Sequence, residues 1–91
     1  MLVIISYDVA DDKRRAKIAN LLENYGTRVQ YSVFECLIEK EQLEEIKQLA
    51  DEIISHSEDS LRYYIICEDC RKKINIMGTG EITSDPDFYI V

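Results

Sequence analysis

The sequence predicts an α+β domain of element order βαββαβ, with an antiparallel sheet and both helices on one of its faces. Three observations predict it: an apolar, β-branched run at the start of the chain, two stretches with apolar residues at helical spacing, and short strand-like runs between and after them. Ninety-one residues suit one domain, residues 1–91. A chain this short buries only about two-thirds of its unfolded surface, so a second subunit would add to its stability.

Leu2 to Tyr7 is the apolar run, ended by Asp8, and reads as a central strand, β1. Asp11 or Asp12 then offers an N-cap, Ile18, Leu21, Leu22 and Tyr25 follow at helical spacing, and Gly26 supplies a stop, so α1 is expected over about residues 12–25. Between Arg28 and Ile38 the apolar parity changes: Val29, Tyr31 and Val33 share one face and Phe34, Cys36 and Ile38 the other. A bulge or turn near Ser32 resolves this into two short strands, β2 and β3. Glu41 to Ser55 lines up Leu43, Ile46, Leu49, Ala50, Ile53 and Ile54 opposite a charged face, which defines α2. After the polar turn Ser57 to Ser60, the aromatic and β-branched run Leu61 to Cys67 reads as β4, and Ile74 to Met77, ended by Gly78, as an extra C-terminal strand.

With both helices on one face the other sheet face is left open, and Tyr31, Tyr63 or Tyr64, and Ile65 or Ile66 are its candidates for a subunit contact. A symmetric homodimer is the simplest arrangement. The tail, about residues 79–91, closes with four apolar residues and is expected to pack on a partner subunit.

Composition narrows the function. The opening MLVIISYD has no basic n-region and only about five apolar residues in a row, so neither a signal peptide nor a membrane span is expected there, and three cysteines point to reduced thiols in the cytoplasm. The net charge of −7 weighs against nucleic acid, yet the charge is segregated. Lys13, Arg14, Arg15, Lys17 and Arg28 face the single acid Glu23 between positions 13 and 28, whereas eight acids accompany two lysines from Glu39 to Asp59.

Asp8 is placed where a strand-end carboxylate projects beyond the sheet beside the basic start of α1; on spacing alone it reads first as ending the strand or capping a turn, and second as a group beside which a phosphate or cation could sit. One carboxylate makes a poor Mg²⁺ site, and a two-fold axis would supply the second. Lys13, Arg14, Arg15, Lys17 and Arg28 form the candidate nucleic-acid contact, positioning phosphates without reading bases. His56, at the end of α2, suits a helix-terminal contact, which disfavours Ser/His/Asp catalysis. Cys67 and Cys70 lack the further ligands of a zinc site, and the following KKINIM does not read as the helix that a thioredoxin-type motif opens. A packed Cys67 and a turn Cys70 are expected. No phosphate-binding glycine motif is present.

The run Y-D-V-x-D-D-K-R-R (Tyr7 to Arg15), the segment G-T-R-V-Q-Y-S-V-F-E-C (Gly26 to Cys36) and the late C-E-D-C (Cys67 to Cys70) together resemble the CRISPR-associated Cas-two family, from Met1 to about Gly80. The resemblance implies a ferredoxin-like homodimer that acts with the Cas-one integrase to insert spacer DNA into a CRISPR array. It also implies a metal-dependent endonuclease acting on single-stranded RNA or duplex DNA, with Mg²⁺ or Mn²⁺ held by Asp8 and its mate across the dimer axis. Tyr7, Arg15, Lys17, Arg28 and Phe34 fall where family members carry activity-linked residues; Asp8, Tyr7, Arg15, Arg28 and Phe34 are the implied catalytic set. Two other readings stay open: a non-catalytic DNA and integrase scaffold, and a ferredoxin-like toxin ribonuclease or small-ligand regulator.

Overall fold

The apolar opening run becomes the central strand of a four-stranded antiparallel sheet. The computed structural model describes residues 1–83, in which β1 (Leu2–Asp8), α1 (Asp12–Glu23), β2 (Thr27–Gln30), β3 (Val33–Leu37), α2 (Lys40–Ile53), β4 (Ser60–Ile66) and α3 (Glu68–Arg71) follow in order. The strands lie β2-β3-β1-β4, and β1 pairs with β3 (Ile5 opposite Phe34) and β4 (Ile5 opposite Tyr63).

Strand alternation sorts the side chains. Val3, Ile5 and Tyr7 of β1 and Phe34 and Cys36 of β3 point to one face, where Ile18, Ala19 and Leu22 of α1 and Leu43, Ile46 and Ala50 of α2 close a single core. Both helices therefore share one face, as the sequence predicts. Asp11 caps α1 by accepting the Arg14 amide at 3.0 Å, and the Glu39 amide donates to Gln42 Oε1 at 2.9 Å at the start of α2.

Gly26 does not end α1 through a left-handed backbone, since the positive φ angles belong to Gly78 and Gly80. It is needed for space: a Cβ there would collide with Cys36 Sγ and the Glu35 carbonyl, where the chain turns back to start β2. The parity change ahead of β3 is a bulge between Arg28 and Gln30 followed by the turn at Tyr31 and Ser32.

Two expectations are corrected. Ile74 to Met77 is not a strand; the chain leaves β4 into α3, and the Ile74 amide still donates to Arg71 O at 3.2 Å, continuing that turn rather than a ladder. Cys67 is not packed but exposed, and the C-x-x-C does open a helix directly after a strand. The open sheet face is partly lined by the chain itself: Asn75 to Thr83 border a groove with Ile4, Val33 and Glu35, and the Thr83 hydroxyl donates to Glu35 Oε1. Register puts Tyr64 and Ile66 on this face, opposite Ile4 and Leu2, and Tyr63 and Ile65 on the helix side. Of the tail expected on a partner subunit, residues 84–91 lie outside the described residues. Among the described residues no helix is long and apolar enough to cross a membrane.

Candidate site at the end of the first strand

Asp8 is the last residue of β1, opposite Ser60, and alternation turns its exposed side chain away from the helix-covered face that takes Tyr7. Among the described residues, no hydrogen bond or ion pair engages its carboxylate. The loop that follows is held from two sides. Arg15 donates from Nε and Nη2 to the Val9 carbonyl, at 3.2 and 3.0 Å, and from Nη1 to Asp12 at 2.6 Å. Asp59 accepts the Ala10 amide at 2.9 Å.

Asp59 is the residue that sequence reasoning missed. Its side chain has no exposed surface, and besides Ala10 it accepts the Ser55 amide at 2.8 Å and Arg14 Nε at 2.8 Å. The Arg14 hydrogen bond, seconded by the two amides, outweighs burial and holds the Asp59 carboxyl well below the usual carboxylate range. Arg14 also reaches Glu58 at 3.0 Å. Of the predicted basic group, Arg14 is thus committed to the α2–β4 loop, while Lys13 and Lys17 are exposed and without an ion pair among the described residues. The only signal in the sequence was topological: if β4 pairs antiparallel with β1, the turn before β4 must arrive beside the end of β1.

The remaining candidates form a second string. Tyr7 is buried, donates from its hydroxyl to Tyr31 O at 3.2 Å, and lies 6.3 Å from Phe34 between ring centroids. Phe34 is wholly buried, with the Arg28 guanidinium 5.3 Å over its ring. Arg28 is half exposed, with a loose 3.8 Å contact to Glu23. Tyr7 and Phe34 therefore brace the β2–β3 hairpin and seat Arg28 instead of presenting groups to solvent. His56 sits against Asp51 at 2.8 Å beyond α2, and among the described residues no serine hydroxyl hydrogen-bonds to it.

One copy alone does not build a cation site. Among the described residues no three His, Cys, Asp or Glu side chains converge, so one copy offers the single carboxylate of Asp8. Mg²⁺ takes one or two carboxylates and fills the rest of its octahedron with water and phosphate oxygens. Two copies related by a two-fold axis would supply the second carboxylate, a donor set that fits the ion.

Fold and site together define a ferredoxin-like protein with an exposed carboxylate at the end of its first strand. The chain belongs to the CRISPR-associated Cas2 family: the model of the family described as CRISPR associated protein Cas2 matches residues 1–74. It is 43% identical over 90 residues to CRISPR-associated endoribonuclease Cas2 3 of Synechocystis sp., which takes in 99% of this chain and 98% of that protein. Streptococcus pyogenes Cas2, in its crystal structure at pH 6.5, matches with a TM-score of 0.75 and 34% identity, over 86% of this chain and 100% of that chain. A chain from a partial Cas6-RT-Cas1–Cas2 complex matches with a TM-score of 0.76 and 34% identity, over 93% of each chain. The ferredoxin-like fold read from the sequence stands.

Proposed function

We propose that this chain acts as a homodimer in CRISPR adaptation, together with a Cas1 integrase, and that the dimer hydrolyses phosphodiester bonds of single-stranded RNA or duplex DNA with Mg²⁺ or Mn²⁺. The observation that carries the reading is Asp8: an exposed carboxylate without a partner among the described residues, on a loop fixed by Arg15 and Asp59. A strand-end acid that served only to stop the sheet would not need its following loop clamped from both sides. The endoribonuclease name of the Synechocystis relative and the Cas1–Cas2 complex that contains a structural relative support the activity and the partner.

In this mechanism Asp8 from each copy would hold the cation, which when bound polarises a phosphate and makes a coordinated water acidic. Arg15 positions the loop after Asp8 through the Val9 carbonyl. Arg28, seated on Phe34 and only loosely paired, is available to meet phosphate charge. Lys13 and Lys17 follow the phosphate backbone without reading bases, so cleavage tolerates many sequences and weakens steeply with salt.

The withdrawal of Arg14 into an ion pair and the net charge of −7 favour a second reading, a non-catalytic scaffold that holds spacer DNA only with the integrase bound. The test is cleavage of labelled single-stranded RNA and duplex DNA with Mg²⁺, Mn²⁺ or EDTA by wild type and Asp8→Asn. Metal-dependent cutting that disappears in the variant supports the enzyme. Equal cutting by both, or none by either, supports the scaffold.

A further inference from the structure

Two of the three thiols stand apart from the strand-end site. Cys67 and Cys70 are free and exposed, whereas Cys36 is buried in the core. Cys67 leaves β4 in extended conformation, φ −68° and ψ 161°, and caps α3 by accepting the Cys70 amide on its Sγ at 3.4 Å. Cap and third helical residue face each other across the first turn, so the two sulfurs share one side of the chain. The contact treats them unequally. The Cys70 amide and thiol together hold the Cys67 thiol below its ordinary range, and the same thiol contact pushes Cys70 up. Burial pushes Cys36 up to about 11, which leaves it inert beside the exposed pair.

We propose that Cys67 and Cys70 form a thiol–disulfide exchange site whose co-reactant is a low-molecular-weight disulfide. The Cys67 thiolate attacks one sulfur of the small disulfide, the S–S bond breaks, and one thiolate leaves and takes a proton from solvent. Cys70 then loses its proton and attacks Cys67 Sγ in the mixed disulfide, expelling the second small thiol. The chain gives up two protons and two electrons, and the small disulfide is reduced to two thiols. The new bridge spans Glu68 and Asp69 and locks the turn where the chain leaves β4 toward the segment that reaches Glu35. The proposal does not rest on the nuclease reading.

The test uses the full, reduced, metal-free chain with oxidised glutathione at neutral pH, followed by alkylation and intact-mass measurement. Wild type should lose two hydrogens and retain one thiol, Cys36, that alkylates only after denaturation. Cys70→Ser should stop at one glutathione adduct on Cys67, and Cys67→Ser should react more slowly, because Cys67 Sγ keeps the backbone amide of residue 70 while, among the described residues, Cys70 Sγ accepts none. The wild-type mass needs no variant to fold. An adduct that never resolves in wild type, disulfides only between chains, or equal rates for the two variants would overturn the proposal. So would a Zn²⁺ titration in which the pair takes up the ion and exchange stops at substoichiometric metal, which would make the pair a metal site.

Discussion

Arg14 and Asp59 meet across 45 positions of sequence, with Nε to Oδ2 at 2.8 Å and Nη2 to Oδ1 at 3.2 Å. Through this contact the start of α1 is tied to the loop before β4, and the same carboxylate anchors the amides of Ala10 and Ser55. Asp59→Ala leaves a guanidinium and two amides without their acceptor. It should lower Tm by several degrees in thermal unfolding. Glu58→Ala removes an exposed partner of the same arginine and should leave Tm nearly unchanged, as surface ion pairs contribute little.

The same pair sets an acid limit. A carboxyl whose folded pKa is depressed contributes its stability in full above its unfolded pKa, about 3.9 for aspartate, and loses it as pH falls toward the folded value. Circular dichroism through the acid range should show wild type losing stability below about pH 4, with Asp59→Asn flatter there because an amide does not titrate. Identical slopes in the two proteins would remove Asp59 from the acid response.

Asp8→Asn should separate chemistry from folding. The side chain is exposed and holds no partner among the described residues, so Tm should stay within about a degree of wild type, as for most surface substitutions. Cleavage in Mg²⁺ should fall to the EDTA background. A large loss of Tm would show instead that the carboxylate supports the strand end.

Phe34 and Arg28 should part ways when each is replaced. Phe34→Ala empties a wholly buried site and should cost about 3–5 kcal/mol in urea unfolding, so its lost activity should track the unfolded fraction. Arg28→Ala should keep the fold and weaken nucleic-acid binding similarly for all sequences, with a shallower salt dependence, read by fluorescence anisotropy. Sequence-selective weakening would contradict a phosphate contact.

Gly26→Ala should destabilise by about 1–3 kcal/mol in the same urea assay, because the added methyl meets the Glu35 backbone carbonyl and the buried Cys36, neither of which can swing away. A neutral result would mean that the α1–β2 connection can shift.

Most of the sheet and both long helices were legible because their signals are local: the apolar run at Leu2 to Tyr7, the apolar face of α2, the parity change before Phe34. Asp8 was legible because it ends the first of these. Asp59 was not, since an acidic residue in a Ser-rich turn looks like any solvated loop until β4 brings it beside Ala10. The helix after β4 escaped because a four-residue turn made by one cysteine cap leaves no periodicity. Ile74 to Met77 carried strand-like residues, but a strand needs a neighbour to bond, and here the first amide of that segment bonds backward to Arg71. Tyr7 and Phe34 were placed correctly in the chain, yet whether they face solvent or core depends on register, which a single position does not reveal.

The bulge between Arg28 and Gln30 bears on how many chains can join. A regular outer strand offers an evenly spaced row of donors and acceptors to whatever strand arrives, and a sheet with two such rims can propagate without end. Here the β2 rim is only four residues long and interrupted by the bulge, whereas the seven-residue β4 rim is uninterrupted. In the proposed homodimer, pairing through β4 alone about a two-fold axis would use up the single good rim of each copy and halt at two, so this irregularity would limit the assembly's size as well as turning the hairpin.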